Sequence, residues 1–274
     1  MSPIPTNTSN KDKVILITGA SAGIGLGTAQ KLASEGAILT LFARRGDKLL
    51  AAEKELKAAY PNVKTLAVVG DAAKEEDVKR AVEETVNAFG GIHGAFINAG
   101  IYRPGKLTEM SNDDMNALLD VNVKGVIYSL RHIIPAIKKT VGDSQNGYIQ
   151  QGSIVVNSSC MATAVIAPKS AGSSIYSATK AFVNSIVETA AIEEAPLIRI
   201  NSVMPGVVKT EVIPLEDEAY EAFAAKMQPL YGRAGTPQEI ANVVSFLLGP
   251  GASFISGTNV KADGLWSLSG GSLE

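Results

Sequence analysis

Val14–Thr18 reads VILIT, an unbroken apolar run that ends at Gly19 and is followed closely by two more glycines, Gly23 and Gly25. Such a run has no polar alternation, so it suits a strand buried on both faces, which means a parallel sheet covered by helices. The alternation then repeats along the chain. A small-residue helix is predicted over 24–34, closed by Gly36, then a strand at Ile38–Ala43 and a helix over 47–60 halted by Pro61. A third strand over 64–69 precedes Glu75–Phe89, where Val78, Val82, Val86 and Phe89 recur at helical spacing. Further strands are predicted over 95–98, 153–157 and 198–204, with helices over 113–138, 175–194 and Pro237–Leu248. Strands separated by helices imply βαβ units. The expected fold class is therefore α/β: a single doubly wound Rossmann-type domain with a parallel sheet flanked by helices over 13–274. Residues 1–12, rich in Ser, Thr, Asn and Pro, read as a flexible tail.

Composition removes several function classes. The net charge of −2 provides no general attraction to nucleic acid or to an anionic membrane surface. One cysteine, Cys160, allows no intramolecular disulfide, and with two histidines, His93 and His132, no metal site is expected. No apolar run approaches the ~20 residues that span a bilayer. The expectation is a cytoplasmic protein.

The first strand runs into Thr18-Gly19-Ala20-Ser21-Ala22-Gly23-Ile24-Gly25 and then a helix. Glycines between a first strand and a first helix let backbone amides approach a pyrophosphate at the positive helix end, so the loop points to a dinucleotide. At the tip of the second strand, an acidic residue would favour NAD, whereas arginine would receive the 2′-phosphate of NADP. This chain carries Arg44-Arg45, which favours NADP(H). A rival lies in the same loop, because Gly19-Ala20-Ser21-Ala22-Gly23 also matches the nucleophile elbow of serine hydrolases. That motif needs a late histidine, and the last one here is His132.

Tyr176 and Lys180 are four residues apart at the start of a predicted helix and so share a face. A neighbouring ammonium favours the phenolate and should lower the tyrosine pKa towards the working range for proton transfer. Tyr60–Lys64 and Tyr102–Lys106 have the same spacing, but Pro61 and Pro104-Gly105 prevent a helical face.

With the glycine loop and this pair, the chain resembles the short-chain dehydrogenase/reductase family over nearly its whole length. The resemblance also rests on Asn98-Ala99-Gly100, Asn122, Ser159, Pro205-Gly206 and Arg233-x-Gly235-x-Pro237, which occur in the expected order. It implies that Tyr176 is the general acid/base and that Lys180 lowers its pKa and holds the nicotinamide ribose. Ser159 would bind the substrate oxygen. Asn122 would bend the long helix and keep a water leading to Lys180. The implied cofactor set is Gly19, Ser21, Gly23, Ile24, Gly25, Arg44, Arg45, Asp71, Asn98, Gly100, Tyr176, Lys180, Pro205, Gly206, Val208 and Thr210. Asp71 would contact adenine, Asn98 would steady the sheet, and Val208 with Thr210 would hold the carboxamide. The cofactor would be NADP(H), the partner a small carbonyl or alcohol substrate, and the assembly a homodimer or homotetramer.

The chain departs from the family pattern in three places. The gap from Ser159 to Tyr176 is longer than usual. Ser159 is preferred because it ends the strand over 153–157, Ser158 is its close competitor, and Thr163, at the usual spacing but in the wrong strand context, ranks third. Ala22 stands where many NADP-preferring members have a basic residue. Leu265 follows Gly264 where a second glycine is common. Segment 211–231 reads as a mobile lid, and Tyr102, Met161, Val165, Ile166, Met204, Val207 and Trp266 are candidate pocket residues. Three alternatives stay open: an NAD-preferring alcohol dehydrogenase of the same family, a serine hydrolase using Ser21, and a non-catalytic NADP(H)-binding sensor.

Overall fold

The structure, a computed structural model, describes residues 10–142, 151–163, 172–211 and 217–269. Seven parallel strands form one sheet in the order β3-β2-β1-β4-β5-β6-β7. They are β1 (Val14–Thr18), β2 (Ile38–Ala43), β3 (Thr65–Val69), β4 (Gly94–Ile97), β5 (Gly152–Asn157), β6 (Ile198–Pro205) and β7 (Asn259–Ala262). The helices are α1 (Gly23–Ser34), α2 (Gly46–Ala59), α3 (Glu75–Phe89), α4 (Asn112–Leu119), α5 (Gly125–Val141), α6 (Ser174–Glu193), α7 (Asp217–Met227) and α8 (Pro237–Leu248).

The apolar runs are continuous because both faces of the sheet are covered. Strand side chains alternate between faces, and the alternation sorts them into two cores. Leu16, Ala95, Ile97, Ile154 and Val156 join α3, α5 and α6 in one cluster. Ile15, Ile17, Phe96 and Val155 join α1, α2 and α8 in the other. Helix ends follow local chemistry. At α8, Thr236 and Glu239 form a reciprocal capping box with Pro237 in the first turn, and α3 ends on Gly90 at φ 84°.

Three expectations need correction. The helix read over 113–138 is broken by a π turn at Asp120–Lys124, where an extra residue widens the coil between α4 and α5. Strand β7 was not anticipated: NVKA is short and polar, as suits the edge of a sheet. The described part of segment 211–231 contains α7, whose Tyr220, Ala224 and Met227 pack with Cys160, Val207 and Trp266 in a third cluster. Those positions follow one another at about one turn on one face, so the segment is there a docked helix. Pro214 lies outside the described residues.

Chain order reverses across the sheet between β1 and β4, so the loops after these strands diverge and leave a crevice at their carboxyl ends. Among the described residues, no helix is long and apolar enough to cross a membrane.

Candidate active site

A cleft of about 790 Å³ opens at this crevice. It is lined at one end by Gly19, Ser21, Gly23, Ile24, Arg44, Arg45 and Asp71, and at the other by Ser159, Tyr176 and Lys180. Asn98, Gly100, Pro205, Gly206, Val208 and Thr210 also line it. Among the sequence-predicted site residues, only Gly25 and Asn122 do not line it directly.

The glycine end fits a pyrophosphate. Gly19 and Gly23 have φ of 68° and 54°, the left-handed region that other residues enter at a cost. A Cβ on Gly19 would lie 2.8 Å from Asn98 Nδ2, and one on Gly25 would lie 2.2 Å from the Gly19 carbonyl oxygen. At the start of α1, the N-cap Ala22 offers no side-chain acceptor and the first turn has no acidic residue. The amides there keep the positive helix end available for an anion. Thr210 packs on this loop, with its Cγ2 lying 3.1 Å from where a Gly23 Cβ would stand.

Asn98 ties the loop to the sheet. Its Nδ2 donates to the Thr18 and Gly19 carbonyls at 3.1 and 3.2 Å, and its amide donates to Thr18 Oγ1 at 2.9 Å. Its Oδ1 in turn accepts from Asn157 Nδ2 at 2.9 Å. Asn157 also receives, at its carbonyl, the Lys180 ammonium at 2.8 Å. Asn157 was not among the candidates, and its place at the end of β5 is the only signal for it. It links the glycine loop to Lys180.

Asn122, buried in the π turn, is committed to its neighbours: Oδ1 accepts from the Ile101 amide and Nδ2 donates to the Ile101 carbonyl, both at 2.9 Å. Nδ2 also reaches Thr179 Oγ1 at 3.3 Å, one residue before Lys180. Gly100 lets this region close, since a Cβ there would lie 3.3 Å from Asn122 Oδ1 and 3.5 Å from Lys180 Nζ.

At the far end of the cleft, Ser159 lies beside the Tyr176 phenol, and its Oγ accepts from the Met161 amide at 3.2 Å. Lys180 Nζ sits 5.8 Å from the Tyr176 ring centroid. Tyr102 packs edge-on against the same ring at 4.9 Å, with its own hydroxyl held to Ser173 Oγ at 3.1 Å. The lowered phenol pKa expected from Lys180 is not what this geometry gives. Burial pushes the Tyr176 phenol above the ordinary tyrosine value, opposed by the neighbouring Ser159 hydroxyl, and burial brings Lys180 down to about 8. Desolvation penalises both charged forms, and the ammonium is drawn to the Asn157 carbonyl.

The three hydroxyl candidates separate by direction. Ser158 Oγ turns inward, donating to Asn184 Oδ1 at 2.7 Å and approaching the Lys180 carbonyl at 3.1 Å. Ser159 faces Tyr176, while Thr163 is exposed after the short turn Cys160–Ala162. Ser159→Ala should cost about tenfold to a hundredfold in turnover with little loss of stability. Ser158→Ala should instead lower the melting temperature and largely spare turnover, because it leaves buried Asn184 short of a partner. Equal effects in thermal melts and turnover would remove the distinction.

At the tip of β2, Arg44 pairs with Asp71 at 3.7 Å, and Asp71 Oδ1 accepts from the Ala73 amide at 3.0 Å. Arg45 Nη1 donates to Glu211 Oε2 at 2.8 Å, and its Nη2 lies 3.5 Å from Ser21 Oγ. The Val208 carbonyl accepts from the Tyr220 hydroxyl, and Gln228 bonds both backbone groups of Val207 beside Gly206. Gln228, on no recognisable motif, was missed.

Of the candidate pocket residues, Tyr102, Met161, Val207 and Trp266 line the cleft. Met204 does not; it is buried with its sulfur towards Asn184 Nδ2. Val165 and Ile166 lie outside the described residues. Neither histidine approaches Ser21: His93 Nδ1 accepts from the Val14 amide at the opposite end of β1, and His132 pairs with Glu75. The Ser21 elbow therefore has no histidine base. Among the described residues, no cluster of His, Cys, Asp and Glu could hold a metal.

Residues 19–265 match the family model described as enoyl-(acyl carrier protein) reductase. The chain is 36% identical to cyclohexanol dehydrogenase of Acinetobacter sp. (strain SE19), over 97% of this chain and 99% of that protein. Its structure is similar to that of a short-chain type dehydrogenase/reductase from Mycobacterium marinum, with a TM-score of 0.85, 28% identity, and 95% and 97% of the two chains covered. It is likewise similar to 3-ketoacyl-(acyl-carrier-protein) reductase from Brucella melitensis complexed with NADH, with a TM-score of 0.82, 31% identity, and 95% and 100% covered.

Proposed function

Because the chain belongs to the short-chain dehydrogenase/reductase family, we propose that it is an NADP(H)-dependent enzyme that reduces a ketone or other carbonyl, or oxidises the matching secondary alcohol, with Tyr176 moving the proton. That it is an oxidoreductase acting on a CH–OH or C=O carbon follows from its relatives. The observation that carries the rest is that Ser159, Tyr176 and Lys180 share one cleft with the glycine loop, with Lys180 Nζ 5.8 Å from the Tyr176 ring centroid.

The nicotinamide, when bound, supplies or accepts the hydride. The chain's own residues hold the substrate and manage the proton. Ser159 donates to the substrate oxygen and fixes it beside Tyr176. As negative charge develops on that oxygen, the Tyr176 phenol gives up its proton. Lys180, anchored by Asn157, places a positive charge beside the phenolate that results. The glycine loop, Asn98 and Thr210 would hold the pyrophosphate and nicotinamide ends, and Arg44, Arg45 and Asp71 the adenosine end. The apolar walls made by Tyr102, Met161, Val207, Phe223 and Trp266 favour an apolar ketone, and cyclohexanone is the first to try. The family likeness carries the further proposals of a homodimer or homotetramer working in the cytoplasm.

Burial that raises the phenol pKa keeps Tyr176 protonated at neutral pH, ready to donate. Oxidation needs the opposite form. In initial-rate assays, alcohol oxidation should therefore rise from about pH 7 and level off above the Lys180 value of about 8, where the ammonium loses its charge. Ketone reduction should hold or decline over the same range. An oxidation rate that peaks at or below neutrality would contradict this assignment. Turnover of cyclohexanone or other apolar ketones with NADPH tests the function itself.

A further inference from the structure

The adenosine end of the cleft contains an anion of its own. Glu211, immediately after Thr210, reaches across the sequence to the start of α2. Its Oε2 accepts from Arg45 Nη1 and from Lys48 Nζ, both at 2.8 Å, and its Oε1 accepts from Lys48 Nζ at 2.9 Å. The two cations hold the carboxyl of Glu211 below the usual carboxylate range. Arg45 is the N-cap of α2 and Lys48 lies in its first turn, so both place positive charge at the positive end of a helix. That arrangement favours anions; Asp47 lies in the same first turn, and Glu211 is the carboxylate that bonds both Arg45 and Lys48. The same Arg45 guanidinium lies 3.5 Å from Ser21 of the glycine loop, and both line the cleft together with Glu211.

Resting on the cofactor reading above, we propose that Glu211 is a specificity-determining residue for the cofactor: its carboxylate occupies the ground between Arg45 and Lys48 that a 2′-phosphate on adenosine would take. A 2′-phosphorylated cofactor must exchange with Glu211, whereas one with a free 2′-hydroxyl need not. Side chains of Arg45, Lys48 and Glu211 are 47%, 50% and 56% exposed, so these pairs are weakly held and open to exchange. The phosphate brings more negative charge and more acceptor oxygens than a carboxylate, which lets it win the exchange. Glu211 nonetheless narrows the preference that an arginine pair would otherwise create. Lys48 does not itself line the cleft, and it acts there through Glu211.

The test is isothermal titration of the full chain and of Glu211→Gln with 2′,5′-ADP and with 5′-ADP, and then with NADPH and NADH. Glu211→Gln should tighten 2′,5′-ADP and NADPH by about fivefold or more, and change 5′-ADP and NADH by less than about twofold. Glu211→Lys should extend the effect in the same direction. The gain should shrink as salt rises, because the groups are exposed. Equal tightening of the phosphorylated and unphosphorylated ligands would overturn the proposal, as would weaker binding of 2′,5′-ADP, which would make Glu211 a support for the arginine. If neither NADPH nor NADH binds the wild type or the variants, while circular dichroism shows them folded, the cofactor reading itself falls and this inference with it.

Discussion

Tyr176→Phe should abolish ketone reduction, lowering turnover by roughly a thousandfold, while cofactor affinity stays within about fivefold of wild type. The substitution removes one oxygen and leaves the ring, so the edge-on packing with Tyr102 survives. What disappears is the proton donor that faces Ser159. Without it, the oxygen of the substrate must develop its charge against a serine hydroxyl alone, with no acid to quench it. Single-turnover reduction with bound NADPH, read as loss of nicotinamide absorbance, separates this from a binding defect. Lys180→Met should differ in kind, because the ammonium serves both the phenol and the Asn157 anchor; it should weaken cofactor binding as well as turnover. A Tyr176→Phe enzyme that reduces ketones undiminished would remove Tyr176 from the chemistry.

The second large effect is steric. Gly25→Ala adds a methyl group that would lie 2.2 Å from the Gly19 carbonyl oxygen and 2.7 Å from Asn98 Nδ2. Neither neighbour can yield cheaply. One is backbone in a tight turn, and the other is pinned by its bonds to Thr18, Gly19 and Asn157. The loop must therefore shift away from the position that leaves room for a pyrophosphate. Cofactor affinity should fall about a hundredfold or more, roughly 2.7 kcal/mol, with a lower melting temperature. Gly46→Ala is the control. Its methyl would meet only the Val69 side chain at 3.5 Å or beyond, an ordinary contact, so binding and stability should hold. Fluorescence titration and thermal melts of the two variants measure the contrast.

Much of the fold was legible because the sheet is buried on both sides. The strands that announce themselves as apolar runs, VILIT and ILTLFA, lie in the interior of the sheet, and β1 is buried throughout. The strand that was missed, NVKA, lies at an edge where nothing requires it to be apolar. The π turn went unseen in the helical periodicity because no Pro or Gly within Asp120–Lys124 marks it. It is tied instead to the backbone of Ile101, twenty-one residues away in sequence. Helix α7 did carry a signal, with Tyr220, Ala224 and Met227 on one face, but Pro214 and the mixture of acidic and apolar residues suggested a mobile lid.

In the site, residue types and order were readable, while directions were not. Ser158 and Ser159 are neighbours with the same chemistry, and only the pleat at the end of β5 sends one towards Asn184 and the other towards Tyr176. The pairing of Glu211 with Arg45 and Lys48 spans 166 and 163 residues, so no local pattern announces it. The phenol pKa was misjudged for a related reason. Spacing along a helix places Lys180 near Tyr176, but it does not reveal how thoroughly the two are desolvated.

The central claim is that this cleft binds a nicotinamide dinucleotide with its adenosine end among basic side chains. The direct measurement is titration of the purified protein with NADPH and with NADH, following nicotinamide fluorescence. The account predicts saturable binding of both, with NADPH the tighter. Saturable binding of neither by a folded protein would contradict it.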